Sequence, residues 1–378
     1  MNLFNVYPLW EIEPVKAEGA RIWDAQGTEY FDMYGGHAVI SIGHSHPSYV
    51  SKISDQLSKI AFYSNSVQNP LQVELAKKLG EISGYNDYSL FLCNSGAEAN
   101  ENALKLASFH TGRKKILSLN KSFHGRTSGA VEATDNPNIQ SDFNKNNNAV
   151  FVPINDSEAA IKELKTQNYA AFIIEAIQGV AGIHCVSTDY IQEIAKVCKE
   201  TKTLLIFDEV QCGYGRTGDF FAHQAHGVKG DIITTAKGMA NGFPIGGVLI
   251  SSEINAKFGL LGTTFGGNHL ACAAAIAVLD IIKEENLVYN AREAGNYIIS
   301  KLKDSKIKGI KDLRGRGLMI GIDLEEGYEN VRHSLLFEKF IFTGAAGKSV
   351  IRLLPPLNIT KKEVDIFIQS FIEVTDKI

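Results

Sequence analysis

The sequence predicts an α/β protein, with a large domain whose mostly parallel seven-stranded sheet lies between helices, plus a smaller α+β domain. Three observations lead there. Seven short, nearly continuous apolar runs fall between residues 89 and 250, most of them separated by stretches of helical character. Strands buried on both faces read this way, because helices cover each side of a parallel sheet. The chain has 378 residues, more than the roughly 250–300 that one hydrophobic core usually supports. Its composition, 44% hydrophobic and 21% charged, is that of a globular chain with material for two cores.

The elements follow in order. Arg21-Ile22-Trp23-Asp24 and Glu29-Tyr30-Phe31-Asp32 read as an N-terminal hairpin. Ser89–Cys93 is the first sheet strand, with a helix from Asn100 to His110. Strands then fall at Lys115–Leu119, Ala149–Pro153, Ala170–Ile174, Leu204–Phe207, Ile232–Thr235 and Gly247–Ile250. Helices are expected at Ser157–Thr166 and Asp189–Glu200. A long helix from Leu270 to Glu285 leads into a unit with strands at Gly317–Leu324 and Ser349–Leu354. Residues 41–270 are expected to form the large domain, and residues 1–40 with 271–378 the small one.

Several function classes drop out. A net charge of -4 gives no basic surplus for nucleic acid or an anionic membrane. No apolar run approaches the roughly 20 residues of a spanning helix. Met1–Trp10 lacks the charged and apolar regions of a secretory signal. The five cysteines are odd in number with no CxxC pair, and read as buried, reduced thiols of a cytoplasmic protein.

An open α/β sheet binds ligands beyond the carboxyl ends of its strands, so those residues carry the functional reading. After Cys93 comes Asn94-Ser95-Gly96-Ala97-Glu98-Ala99-Asn100. A small-residue turn opening a helix presents free N–H groups to a phosphate, or is an ordinary capped helix start. Lys121-Ser122-Phe123-His124-Gly125-Arg126-Thr127 offers an aromatic for stacking and an arginine for a carboxylate, or is a solvated basic loop. Asp208-Glu209-Val210-Gln211 places carboxylates at a buried strand end. They need a cation there: a protonated pyridine, a structural basic residue or a divalent metal. His44-Ser45-His46 has HxH spacing without a third ligand, and no metal site is expected. Thr235-Ala236-Lys237-Gly238 sets a lysine among small residues, where desolvation favours the neutral amine that forms a Schiff base. A phosphate cradle, a ring stacker, an acid and an amine together match what pyridoxal 5'-phosphate requires of a protein.

These motifs, with Thr263-Thr264-Phe265-Gly266-Gly267-Asn268, Arg314-Gly315-Arg316-Gly317-Leu318-Met319 and Arg352-Leu353-Leu354-Pro355-Pro356-Leu357, resemble the class III (subgroup II) aminotransferases of fold type I, most of all their acetylornithine branch. The resemblance covers nearly the whole chain. It implies a pyridoxal phosphate cofactor held covalently on Lys237, with Asp208 at the pyridine nitrogen. Val210 and Phe123 would lie on the two ring faces and Gln211 at the 3-oxygen. Ser95, Gly96 and Ala97 would hold the phosphate, joined by Thr264 of a second copy in a homodimer with shared active sites. Arg126, with Thr263 nearby, would bind the carboxylate of an N-acylornithine, and Arg352 that of glutamate or 2-oxoglutarate.

The implied reaction is ping-pong transfer of the δ-amino group of the N-acylornithine, N-acetylornithine favoured, to 2-oxoglutarate in arginine biosynthesis, with Lys237 as the general base. N-succinylornithine, ornithine and other ω-amino acids are the alternatives. A non-catalytic cofactor-binding regulator is a different class, opposed by the presence of both Lys237 and Asp208. The chain departs from the family pattern at Val180, where relatives carry a glutamate that pairs with the arginine matched by Arg352. Ile40 and His269 replace the usual Asn and Pro.

Overall fold

The computed structural model describes residues 1–378. Its largest sheet has seven strands in the order Ser89–Cys93, Gly246–Ile250, Ile232–Thr235, Leu204–Asp208, Tyr169–Ile174, Lys115–Leu119 and Ala149–Val152. All run parallel except Gly246–Ile250, which is antiparallel to both its neighbours. The three strands at the centre are buried along their full length, as their unbroken apolar sequences require. The carboxyl ends at Cys93, Asp208 and Thr235 therefore reach the same edge.

The first helix after this sheet begins earlier than the sequence suggests, at Gly96, and runs to Thr111. Ser95 explains the shift: its side chain accepts a hydrogen bond from the amide of Glu98 and caps the helix, which starts four residues before Asn100. The helix His269–Glu284 is almost entirely buried and packs on Pro47–Lys59 and Pro70–Ser83.

The N-terminal hairpin pairs as expected, Arg21–Asp24 against Glu29–Asp32, and gains Pro14–Glu18 on its outer edge. Its other edge pairs in parallel with Ile341–Phe342, which joins the chain's beginning to its end. Beside it lies an antiparallel sheet of Ile310–Arg316, Met319–Leu324, Val350–Leu353 and Gly344–Ala346. The strand expected from Gly317 starts only at Met319. Gly317 has φ +55 and turns the preceding strand back on itself.

Four cysteines are buried and none is paired, but Cys185 is exposed, a correction to the expectation of five buried thiols. No helix is long and apolar enough to cross a membrane.

Candidate active site

A cavity of about 440 Å³ opens at the carboxyl edge of the seven-stranded sheet. Its wall includes Ser95, Gly96 and Ala97, then Phe123, Arg126, Asp208, Val210, Gln211 and Lys237. Nine of the residues singled out from the sequence thus converge on one space, although they come from four separate segments.

The helix start supplies the first wall. The geometry of a helix N-terminus leaves its leading amides without intrahelical acceptors, so Gly96 and Ala97 present N–H groups at the positive end of the dipole. Gly96 is also sterically demanded. A Cβ there would meet Val210 Cγ1 at 2.5 Å. The ordinary capped helix start is thus what the structure shows, and its free leading amides are compatible with an anion.

Asp208 is the hub of a buried polar network. Its Oδ2 accepts from Asn100 Nδ2 at 2.7 Å and lies 2.7 Å from His124 Nδ1. Its Oδ1 accepts from the Val210 amide at 3.0 Å. Asn100 is itself held by Thr234, whose hydroxyl donates to Asn100 Oδ1 at 2.6 Å, and it also donates to the carbonyl of His124. The carboxylate is thus oriented from three sides. Glu209, next in sequence, faces away. It accepts from the amides of Ala222 and His223 and pairs with His223 Nδ1 at 2.6 Å. The two carboxylates do not converge, which removes the divalent-metal alternative. His44 and His46 diverge likewise, to Asp32 and Glu285.

Lys237 follows its strand with φ +43, in the sparsely populated left-handed region, strain of a kind that tight packing sustains at functional sites. Its amine forms no hydrogen bond or ion pair. Desolvation lowers its pKa, and the carboxylates of Asp208 and Glu175 oppose the shift without cancelling it. The neutral amine needed for a nucleophile is thereby favoured.

Sequence reasoning passed over three polar groups here. Glu175 is buried on the cavity wall, where it accepts from the amides of Phe123 at 3.0 Å and Gly179 at 3.2 Å. Burial pushes its carboxyl up to about 7; His124 pulls against this and Asp208 adds to it. Asn100 left a signal: it lies on the apolar face of its helix with Ala103, Leu104 and Ala107, where an unpartnered amide is costly. His124 stood in a quoted motif without a role, and nothing local in the sequence points to its pairing with Asp208.

Arg126 is exposed at the cavity mouth. The segment after it is pinned by Glu101, which accepts from Thr127 Oγ1, the Gly129 amide and the Ala130 amide. Gln211 donates from Nε2 to the carbonyl of His37, and its buried Oε1 has no partner. Three expected residues stand apart from the wall. Thr263 accepts from Asn94 Nδ2 at 3.3 Å, Thr264 is exposed, and Arg352 is buried behind Gly179, donating to its carbonyl at 3.0 Å.

The family model described as Aminotransferase class-III matches residues 6–375. The chain belongs to the class-III aminotransferases. The acetylornithine aminotransferase of Bacillus cereus is 39% identical, over 96% of this chain and 95% of that one. Among solved structures, acetylornithine aminotransferase from Elizabethkingia anophelis superposes with a TM-score of 0.87 at 29% identity, covering 100% of this chain and 96% of that one. Ornithine aminotransferase from Toxoplasma gondii gives a TM-score of 0.91 at 29% identity, covering 98% and 92%, and its structure records pyridoxal phosphate at the active site. Class-III aminotransferases depend on pyridoxal 5'-phosphate. The donor set of this aminotransferase fits that cofactor: an unpaired amine, an anion-binding helix start, a fixed buried carboxylate and the orphaned Gln211 oxygen share one cavity.

Proposed function

We propose that this class-III aminotransferase moves the δ-amino group of an N-acylornithine, by preference N-acetylornithine, to 2-oxoglutarate, as a step of arginine biosynthesis in the cytoplasm. The observation that carries the reading is the pairing of Lys237 and Asp208 in one cavity with Arg126 at its mouth. The curated acetylornithine aminotransferases at about this identity support the choice of substrate.

In this reading Ser95, Gly96 and Ala97 hold the cofactor phosphate, Val210 and Phe123 flank the ring, and Gln211 lies near its oxygen substituent. Asp208, aimed by Asn100 and His124, would face the ring nitrogen. When bound, the cofactor supplies an electron-withdrawing ring that stabilises negative charge on the carbon bearing the transferred nitrogen. Lys237 carries the cofactor at rest and, once freed, takes and returns the proton at that carbon. Arg126, with Thr263 nearby, binds the carboxylate of the acylated donor, and Arg352 that of glutamate or 2-oxoglutarate.

A homodimer follows from the same reading. Thr264 is exposed beside an apolar patch in which Phe62 and Phe265 pack at 5.4 Å. A second copy covering that patch brings Thr264 to the phosphate of its partner's site.

N-succinylornithine is a second reading, favoured by one observation. Val180 gives the cavity wall an apolar, exposed side chain, so an additional substrate carboxylate meets no like charge from it. A panel of half-reactions tests both. The cofactor-loaded enzyme is mixed with N-acetylornithine, N-succinylornithine, ornithine and 4-aminobutyrate, and the rates of spectral conversion are compared. Fastest conversion by either N-acylornithine supports the function, and fastest conversion by ornithine or 4-aminobutyrate overturns it.

A further inference from the structure

Arg352 is a buried guanidinium with no acidic partner. Its three polar contacts are neutral: Nε donates to the carbonyl of Ala345 at 2.9 Å, Nη1 to that of Gly179 at 3.0 Å, and Nη2 to the hydroxyl of Tyr34 at 3.0 Å. Desolvation lowers its pKa, as expected of a cation that lacks a counter-ion. The Tyr34 contact is the only one made by a side chain.

Tyr34 is built into this position. A Cβ on Gly344 would meet Tyr34 Cε2 at 2.1 Å, so the ring packs against a position that only glycine leaves open. The Arg352 guanidinium also sits over the ring face, 5.6 Å from its centre. The hydroxyl has a second partner, His37 Nδ1, at 2.6 Å. An arginine can only donate, so the Tyr34 oxygen accepts from Arg352 and its single proton goes to His37 Nδ1. That arrangement requires a neutral His37 protonated on Nε2. Desolvation, with the nearby Arg352 and Lys237 charges, lowers the His37 pKa and favours that form. His37 is held in the left-handed region at φ +69, and its carbonyl accepts from Gln211 on the cavity wall at 3.1 Å. His37 is thus tied to Gln211 through its carbonyl and to Tyr34 through its ring, and Tyr34 in turn to Arg352.

We propose that Tyr34, oriented by His37, is the positioning residue that holds the Arg352 guanidinium ready for a substrate carboxylate in this enzyme. A neutral hydroxyl orients the cation without neutralising it, so Arg352 keeps its full charge for a carboxylate in both half-reactions. An acidic partner would have to be displaced each time. This rests on the reading of Arg352 as a carboxylate site.

The test measures binding of glutarate, an unreactive dicarboxylate of the same chain length as 2-oxoglutarate, to the cofactor-loaded enzyme by calorimetry, beside steady-state kinetics. Tyr34→Phe keeps the ring and removes the hydroxyl. The glutarate Kd and the KM for 2-oxoglutarate should each rise about tenfold with kcat changed by less than about twofold, the cost of one lost hydrogen bond to a charged group. His37→Gln, which retains an acceptor, should stay near wild type, and His37→Ala should follow Tyr34→Phe in direction. Bound-cofactor absorbance confirms that each variant is folded. An unchanged Kd in Tyr34→Phe, with a large rise in Arg352→Ala, overturns this proposal and leaves the carboxylate site standing. An unchanged Kd in Arg352→Ala overturns the carboxylate site itself. A fall in kcat with unchanged Kd in Tyr34→Phe assigns the tyrosine to the scaffold and also overturns the proposal.

Discussion

His124 Nδ1 lies 2.7 Å from Asp208 Oδ2, with the imidazole fully buried. The other ring nitrogen lies 3.3 Å from Ser118 Oγ, so the histidine bridges the carboxylate to a strand two positions away in the sheet. Asp208→Asn preserves the shape of this network and removes its charge. The rate of the half-reaction should fall by roughly 10²–10³-fold, the scale seen when one preorganised electrostatic group is lost from an enclosed site. Single-turnover absorbance measurements check it. A loss below tenfold would mean that Asp208 does not face the reacting ring.

Lys237→Ala should abolish covalent retention of the cofactor. Wild-type protein treated with borohydride should keep the cofactor through denaturation, seen as added mass on the peptide containing Lys237. The variant should show none. An adduct on any other lysine would show the wrong amine has been identified.

Glu175 gives a pH dependence with a definite sign. Its folded pKa is raised to about 7 from 4.5 by burial. The folded state therefore binds more protons than the unfolded state between those values, and this stabilising contribution is full below pH 4.5 and lost as pH rises through 7. Glu175→Gln should flatten this part of the stability profile, removing a change on the order of 3 kcal/mol between the two ends. Urea unfolding at pH 5 and pH 8 measures the difference. A variant profile as steep as the wild type's would place the proton elsewhere.

Val180→Glu restores a carboxylate beside the residue whose carbonyl binds Arg352. The new pair competes with substrate for the guanidinium, and the KM for 2-oxoglutarate should rise about fivefold or more, the equivalent of at least ~1 kcal/mol. Steady-state kinetics at fixed amine donor would show it, and an unchanged KM would place Arg352 out of reach of position 180.

Gly96→Ala drives a methyl group into Val210 at the phosphate turn. Cofactor affinity should fall about tenfold or more, since overpacking of this kind costs roughly 1–3 kcal/mol. Titration of the cofactor-free variant with pyridoxal phosphate measures it.

The sheet was legible because its strands are continuous apolar runs that need no partner to be recognised. The helices Pro47–Lys59 and Pro70–Ser83 were not. The first buries no residue completely, so its apolar positions mark a shallow contact rather than a core face. The candidate cofactor-binding groups stood out in the sequence because each follows a strand. Their supports were not: Asn100 reaches Asp208 across 108 positions and Tyr34 reaches Arg352 across 318. Local sequence carries no trace of such pairings. The same gap kept Arg352 from being tied to Tyr34, while the absence of an acidic residue at position 180 could be read directly.

The antiparallel strand Gly246–Ile250 has a consequence for the order of assembly. It pairs Gly246 with Cys93 and Gly247 with Thr235, and so sets the helix start at Gly96 beside the strand Ile232–Thr235 that leads into Lys237. No other strand joins these two. As the chain leaves the ribosome, both segments exist before that strand is made, and until it inserts their link is the helix face carrying Asn100, which bonds Asp208 and Thr234. Such distant pairings form slowly. Pyridoxal phosphate is therefore expected to bind late in folding, once the sheet is complete, and then to stabilise it by mass action.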